Sequence, residues 1–139
     1  MIDKALAYIG LKEIPGQEDN PDIVKMFKDV GHEWVKDDET AWCAAFLGAV
    51  LERSGILSTR KLNARSYLFW GEQVHSPKMG DVVILWRVKP DSPYGHVGFF
   101  VCFRDQSIFL LGGNQNNQVS IQAYPLNRVL GYRTYKPES

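Results

Sequence analysis

The sequence predicts an α+β fold, in which helices come first and a five-stranded antiparallel sheet follows. In the first half of the chain, apolar residues recur at helical spacing between residues suited to helix ends. From Asp81 onward, β-branched and aromatic runs are separated by Pro, Gly, Asn and Asp, as in an antiparallel meander. No internal repeat or linker interrupts the sequence, so residues 1–139 are predicted to form one domain.

Four helices are expected in the first half. Their predicted N-caps are Asp3, Asn20, Thr40 and Asn63, and their ends lie near Lys12, Gly31, Gly55 and Gly71. The second has clear boundaries, because Pro21 follows the cap at a position where its missing N–H costs nothing. The third is rich in small residues, so we expect it to pack closely at the centre of the fold.

The five predicted strands read DVVILWR, HVGFFVCFR, SIFLLGG, QVSIQAY and LGYRTY. The first of them is apolar on both faces, which predicts a central position in the sheet.

The charge balance excludes two classes of partner. Lys and Arg total 16 and Asp and Glu also total 16, so the formal net charge at pH 7 is zero. Nucleic-acid binders and proteins that adhere to anionic membranes normally carry a basic excess.

The charged N-terminus does not read as a signal peptide, and no apolar run reaches the ~20 residues of a membrane span. We therefore expect synthesis in the cytoplasm, no nucleic-acid partner and no membrane insertion.

Cys43 is the first candidate for chemistry. With Thr40 as N-cap, the cysteine lies in the first turn of the third helix, where free backbone N–H groups and the helix dipole favour a thiolate. A buried cysteine on a packed helix face is an equally good interpretation of this position alone.

His96 and Asn114 favour the catalytic interpretation. His96 opens a strand and can act as the base that a cysteine nucleophile needs. Asn114 follows the next strand and can orient the imidazole ring, because neighbouring antiparallel strands bring the start of one beside the end of the next. Taken singly, a structural histidine and a turn asparagine are the simpler interpretations. In this order, the residues Cys43, His96 and Asn114 predict a cysteine-based catalytic site.

The chain resembles phage and bacterial cell-wall hydrolases of the CHAP and NlpC/P60 superfamily of papain-like cysteine peptidases and amidases. The segments that carry the resemblance are ETAWCAAFLGAVLERSG, ARSYLFWG, GDVVILWR, GHVGFFV and LLGGNQNNQVSI. The resemblance implies a papain-like fold, with N-terminal helices packed on the five-stranded sheet. It also implies a Cys43 nucleophile, a His96 base and an Asn114 orienting residue, with no cofactor and no catalytic metal. Gly112 stands where many CHAP domains have Glu and Trp42 where NlpC/P60 enzymes usually have Asp, which leaves the cleaved bond open.

Weaker expectations surround this site. Trp42 can stack on a sugar or belong to the core, and Arg65 or Trp70 can contact substrate carboxylates or glycan. The acidic loop at residues 37–39 (Asp37, Asp38 and Glu39) is by default solvated, although related CHAP domains bind calcium in that region.

The leading functional prediction is an endolysin-like peptidoglycan hydrolase that cleaves the peptide stem or the muramoyl–L-alanine linkage. We expect a monomer whose partner is peptidoglycan, reached after release through a pore or injection. The alternatives are a papain-like deamidase or transferase that modifies proteins, and a catalytically silent phage structural module. The residues do not identify the phage or bacterial source.

Overall fold

A computed structural model describes residues 5–7, 9, 26, 43–92, 94–115 and 118–135. Its main feature is a six-stranded antiparallel sheet, accompanied by one bounded α-helix and two short 3₁₀ helices. In chain order these elements are α1 (Cys43–Arg53), η1 (Ala64–Phe69), β1 (Glu72–Val74), β2 (Val82–Trp86), β3 (Gly95–Arg104), β4 (Ser107–Gln115), β5 (Gln118–Pro125), η2 (Leu126–Arg128) and β6 (Val129–Thr134). Among these residues, no helix combines the length and apolarity needed to cross a membrane.

The predicted fold class was wrong. The sheet has six strands in the order β1-β6-β2-β3-β4-β5, and α1 is the one helix with defined bounds in the described part of the chain. This architecture does not fit a papain-like α+β fold with N-terminal helices packed on five strands. Of the first two predicted helices, Ala5, Leu6 and Met26 are helical, and the rest lies outside the described residues.

The additional strand is β1, which pairs antiparallel with the C-terminal strand β6. Its three residues, EQV, show no alternation of apolar and polar side chains. Pairing with β6 therefore defines this segment as a strand. Gly71, just before β1, has φ of +64°, and a Cβ placed there would lie 2.3 Å from the Thr134 carbonyl oxygen. Glycine therefore permits the close approach of the two chain segments.

The fourth predicted helix is a 3₁₀ helix, η1, instead of an α-helix. Asn63 is at its N-cap position but makes no side-chain capping hydrogen bond. The third prediction agrees better with the structure: α1 ends at Arg53, and Gly55 follows with φ of +78°, the left-handed conformation that ends many helices.

All five predicted strand segments form strands, and the apolar segment DVVILWR contains β2, which lies between β6 and β3 with four of its five residues buried. Because successive side chains alternate between the two faces, the sheet separates two apolar clusters. The helix-side core joins α1 to Val82, Ile84, Val97, Phe99, Leu111 and Val119. The far-side core comprises Val83, Leu85, Phe100, Ile108 and Leu110.

Strand alternation puts Cys102 on the same face as the buried His96 and Phe100 and so predicts burial, but Cys102 is exposed. The β3–β4 register shifts between Phe100 and Cys102, and β3 leaves the core beyond this bulge. The alternation that predicted burial does not continue through such an irregularity.

Candidate active site

Cys43 is the first residue of α1 and is 1% exposed. The backbone N–H of Val97 in β3 lies near its sulfur and lowers the pKa of the thiol. The described pairing of β3 with β4 begins at Phe99 and Leu111, two residues further along β3. The Cys43 sulfur therefore lies against the opening segment of β3, on the residue that directly follows His96.

Burial raises the pKa of the Cys43 thiol above its ordinary value of 9.0. The backbone N–H groups of Val97, Ala44 and Cys43 itself act in the opposite direction, as does the positive charge of Arg87. The helix N-terminus thus exerts the predicted effect, but the loss of hydration outweighs it. The thiol is protonated at neutral pH, contrary to the expectation of a resting thiolate.

His96 is the second residue of β3 and is 5% exposed. It pairs with Leu85 of β2, and strand alternation directs its side chain to the face that carries the far-side core. The Tyr124 hydroxyl lies 3.2 Å from Nε2 of His96, and the two ring centroids are 5.2 Å apart with the planes tilted by 35°. Tyr124 therefore fixes both the position and the tilt of the imidazole.

Tyr124 reaches His96 because the chain folds back after β5. Tyr124 lies one residue before the end of β5, and η2 follows at once. In η2, Arg128 donates two hydrogen bonds to the Trp86 carbonyl oxygen, at 3.1 and 2.9 Å, which fastens this segment to the end of β2. Trp86 pairs with Gly95, the residue before His96, so the η2 segment and His96 lie at the same end of the sheet.

The pKa of the Tyr124 phenol is raised, first by burial and then by the nearby Cys43, while the charges of Arg128 and Arg87 act against these two effects. The phenol is consequently neutral across the physiological pH range and retains its proton for hydrogen bonding. These effects place Cys43, Tyr124 and the two arginines in one electrostatic neighbourhood, and Tyr124 in turn contacts His96.

Sequence reasoning missed Tyr124. It is separated from His96 by 28 residues, and β4 lies between β3 and β5 in the sheet. The only signal was its alternation with Gln122 and Ser120 in β5, which does not identify a partner. The fold-back through η2 supplies the contact.

The backbone of Asn114 belongs to β4, three residues beyond Leu111. Leu111 pairs with Phe99 of the antiparallel strand β3, and His96 lies three residues before Phe99. The backbones of Asn114 and His96 are therefore equally far from this pair, toward the same end of the sheet. The Asn114 side chain lies outside the described residues, so its role as the orienting residue stays a prediction. The roles of Cys43 and His96 as nucleophile and base stay predictions too, while the structure brings the two residues to the same end of β3.

Arg65 anchors the loop that leads into β3. Its guanidinium donates to the carbonyl oxygens of Tyr94, Pro90 and Lys89 at 3.0, 3.0 and 3.4 Å. Because Tyr94 is two residues before His96, Arg65 fixes the entry to the strand that carries the histidine. A contact of Arg65 with substrate stays a prediction.

Trp70 lies toward the β1–β6 end of the sheet. Its indole N–H donates to the Leu57 carbonyl oxygen at 2.9 Å, and its ring meets Tyr67 edge to face. It also lines a cavity of about 210 Å³ together with residues of β6 and the turn before β2. A glycan contact at Trp70 stays a prediction, and Trp42 lies outside the described residues.

The described part of the chain contains no group of three His, Cys, Asp or Glu side chains that could hold a metal ion. The acidic loop of Asp37, Asp38 and Glu39 lies outside that part, so the calcium alternative stays open. Asp81 accepts hydrogen bonds from the Lys78 N–H and from the Thr134 hydroxyl, so its carboxylate shapes the turn into β2.

No protein-family model matches the chain, and a search of the curated proteins finds no matching sequence. The interpretation of this site therefore rests on the chemistry and the contacts of its residues.

Proposed function

We propose that this protein is a cysteine hydrolase that cleaves an amide bond of peptidoglycan, with Cys43 as nucleophile and His96 as general base. One observation carries the proposal: the Cys43 sulfur lies beside the backbone N–H of Val97, the residue next to His96. A cysteine nucleophile and its base must come within hydrogen-bond reach of each other. The start of α1 lies beside the start of β3, and the proposal requires the His96 ring to reach the sulfur around this end of the sheet.

The chemistry follows from the neutral thiol. Sγ of Cys43 attacks the scissile carbonyl carbon, and His96 takes up the thiol proton during the attack. The imidazolium then gives that proton to the leaving amine as the C–N bond breaks, which leaves a thioester on Cys43. Water next attacks the thioester and gives a proton to His96. Return of this proton to sulfur releases the acid product and restores the thiol.

Tyr124 supports the base in both of its charge states. A neutral phenol can donate a hydrogen bond to an unprotonated ring nitrogen and can accept one from a ring N–H. Gln122 Oε1, 3.4 Å from the hydroxyl, is a second acceptor for the phenol proton. The ring of His96 is therefore held whether it is an imidazole or an imidazolium.

The developing oxyanion needs donors near the sulfur. The backbone N–H of Cys43 lies at the start of α1, where helix N–H groups have no intrahelical partner. In enzymes that use such donors, one of them stabilises the transition state by ~3 kcal/mol. We assign this role to the Cys43 N–H.

The substrate class rests on resemblance. The segments around Cys43, His96 and Asn114 resemble those of CHAP and NlpC/P60 cell-wall hydrolases, and peptidoglycan is the substrate of those enzymes. Two bonds fit the proposed chemistry: the muramoyl–L-alanine amide and a peptide bond of the stem or cross-link. The chain would act on the cell wall after release or injection.

Mass spectrometry of fragments released from purified sacculi tests the proposal. Wild-type protein is expected to release fragments, and Cys43→Ala is expected to release none while keeping the thermal unfolding midpoint of the wild type. Cys102→Ala is the matched control, because it removes the other, exposed cysteine. It should release the same fragments as the wild type.

The fragments also identify the bond. Free stem peptides that begin with L-alanine, with intact glycan strands, indicate an amidase. Muropeptides cut within the stem or the cross-link indicate an endopeptidase. Release of fragments by Cys43→Ala would refute the cysteine mechanism, and the absence of release by the wild type at varied pH and calcium concentration would refute the peptidoglycan substrate.

A further inference from the structure

Arg87 follows β2 directly, at the end of the sheet that holds His96. Leu85 of β2 pairs with His96, Trp86 pairs with Gly95, and the backbone N–H of Arg87 donates to the Tyr94 carbonyl oxygen at 3.2 Å. Arg87 is exposed. Its charge nevertheless acts on both the Cys43 thiol and the Tyr124 phenol, so Arg87 lies within electrostatic range of both groups.

The two neighbouring arginines are already engaged. Arg65 binds three carbonyl oxygens of the loop before β3, and Arg128 binds the Trp86 carbonyl oxygen while its guanidinium lies 5.6 and 5.8 Å from the ring centroids of Trp86 and Tyr124. The guanidinium of Arg87 differs from both: over the described residues it has neither a carboxylate nor a carbonyl partner. Among the residues that the structure describes, none occupies its planar array of N–H donors.

We propose that Arg87 binds a carboxylate of the substrate next to the scissile amide, so that the enzyme selects acidic peptides. This inference rests on the proposed function and deepens it. A guanidinium matches the geometry of a carboxylate and can bind it through two parallel hydrogen bonds. The zero net charge of the chain provides no long-range attraction to an acidic polymer, so recognition of its charge falls to local groups.

The proposal restricts the bond that is cleaved. The scissile carbonyl must reach Sγ of Cys43 while a carboxylate reaches Arg87, which is one residue beyond the end of β2. Amide bonds flanked by a residue with a free α- or side-chain carboxylate satisfy this condition, as do bonds near a free C-terminus. The same bond with its neighbouring carboxylate converted to a carboxamide would lose the contact.

Two synthetic muropeptides that span the bond identified in sacculi provide the test. One carries the nearest carboxylate as the free acid, and the other carries it as the primary amide. Wild-type protein is expected to cleave the acid with a kcat/KM roughly 10- to 100-fold higher, the range expected for a charge-assisted pair in a partly hydrated site. A third peptide carries this carboxylate at the C-terminus instead. Its rate of cleavage distinguishes recognition of a carboxylate on the flanking residue from recognition of a free C-terminus.

The variants separate recognition from other effects of the charge. Arg87→Gln should lose the preference by slowing cleavage of the acid while changing cleavage of the amide less than about twofold, and Arg87→Lys should retain part of it. Arg104→Gln is the matched control, because Arg104 is an exposed arginine at the far end of β3, beside the β3–β4 turn. It should leave both rates unchanged.

The two proposals fail in different ways. Wild-type protein that cleaves sacculi but does not distinguish acid from amide refutes carboxylate recognition and leaves the hydrolase intact. Equal loss of both activities in Arg87→Gln refutes it too, because Arg87 would then act on the thiol alone. Wild-type protein that cleaves neither peptide nor sacculi refutes the proposed function and the inference with it.

Discussion

Replacing Tyr124 by Phe removes the hydroxyl that binds His96 and leaves the ring in place. The hydroxyl lies 3.2 Å from Nε2, and ring packing between the two side chains does not involve the oxygen. The variant therefore tests whether the hydrogen bond orients the proposed base. We expect a lower kcat/KM without loss of folding.

The magnitude follows from the type and length of this bond. A hydrogen bond between neutral groups contributes about 0.5–1.5 kcal/mol net, and 3.2 Å is at the long end of the usual range for such bonds. Near the middle of that energy range, the loss corresponds to roughly a fivefold decrease in kcat/KM at neutral pH. The imidazolium state loses a partner as well, so the decrease should extend to the acidic limb of the pH profile.

Initial rates on the muropeptide cleaved by the wild type, measured across pH together with thermal unfolding, provide the assay. Tyr132→Phe is the control, since Tyr132 is another partly buried tyrosine packed against the far-side core. It should leave kcat/KM unchanged. An unchanged kcat/KM in Tyr124→Phe would refute the orienting role, and a loss beyond about 1,000-fold would mean that the phenol itself takes part in proton transfer.

Two further predictions concern Cys43 and Arg65. Because burial raises the pKa of Cys43, iodoacetamide at pH 7 should label Cys102 and spare Cys43 in peptide maps. Labelling of Cys43 should increase above pH 9. Equal labelling of the two cysteines at pH 7 would contradict the buried thiol. The folded state holds this proton more tightly than the unfolded chain, so the contribution to the free energy of unfolding is complete below pH 9.0 and is lost as pH rises through the folded-state pKa. In denaturant titrations the wild type should lose stability relative to Cys43→Ala over that range. Arg65→Ala should lower the free energy of unfolding by about 1–2 kcal/mol, since three loop carbonyls lose their donor; a normal unfolding midpoint with a higher KM would instead indicate substrate contact.

The sheet was predictable where apolar residues define it. The run VVILW is apolar at every position, and only a strand covered on both faces accommodates such a run. The strand EQV has no such pattern, and the hydrogen bonds of β6 create it. The segment ARSYLF has helical spacing, but a short element without a side-chain cap adopts the tighter 3₁₀ form.

The candidate site was predictable in its residue types and only partly in its geometry. Cys43 and His96 stand out because helix starts and strand starts expose backbone donors and reactive side chains. Tyr124 does not, because its contact depends on how η2 returns the chain from β5 toward β2. Local patterns in a sequence carry no information about such a return.

The direction of the Cys43 pKa shift has a consequence for the proposed mechanism. Backbone N–H groups at the start of α1 lower the thiol pKa as sequence reasoning expected, yet removing sulfur from water costs more than those groups return. A preformed thiolate–imidazolium pair would carry the same desolvation cost at both partners, since His96 is also buried. In the proposed mechanism, proton transfer during the attack avoids this cost, because negative charge develops on the substrate oxygen, near the Cys43 N–H, instead of on sulfur. The burial that makes Cys43 a poor free nucleophile would thus confine the proposed reactivity to a bound substrate.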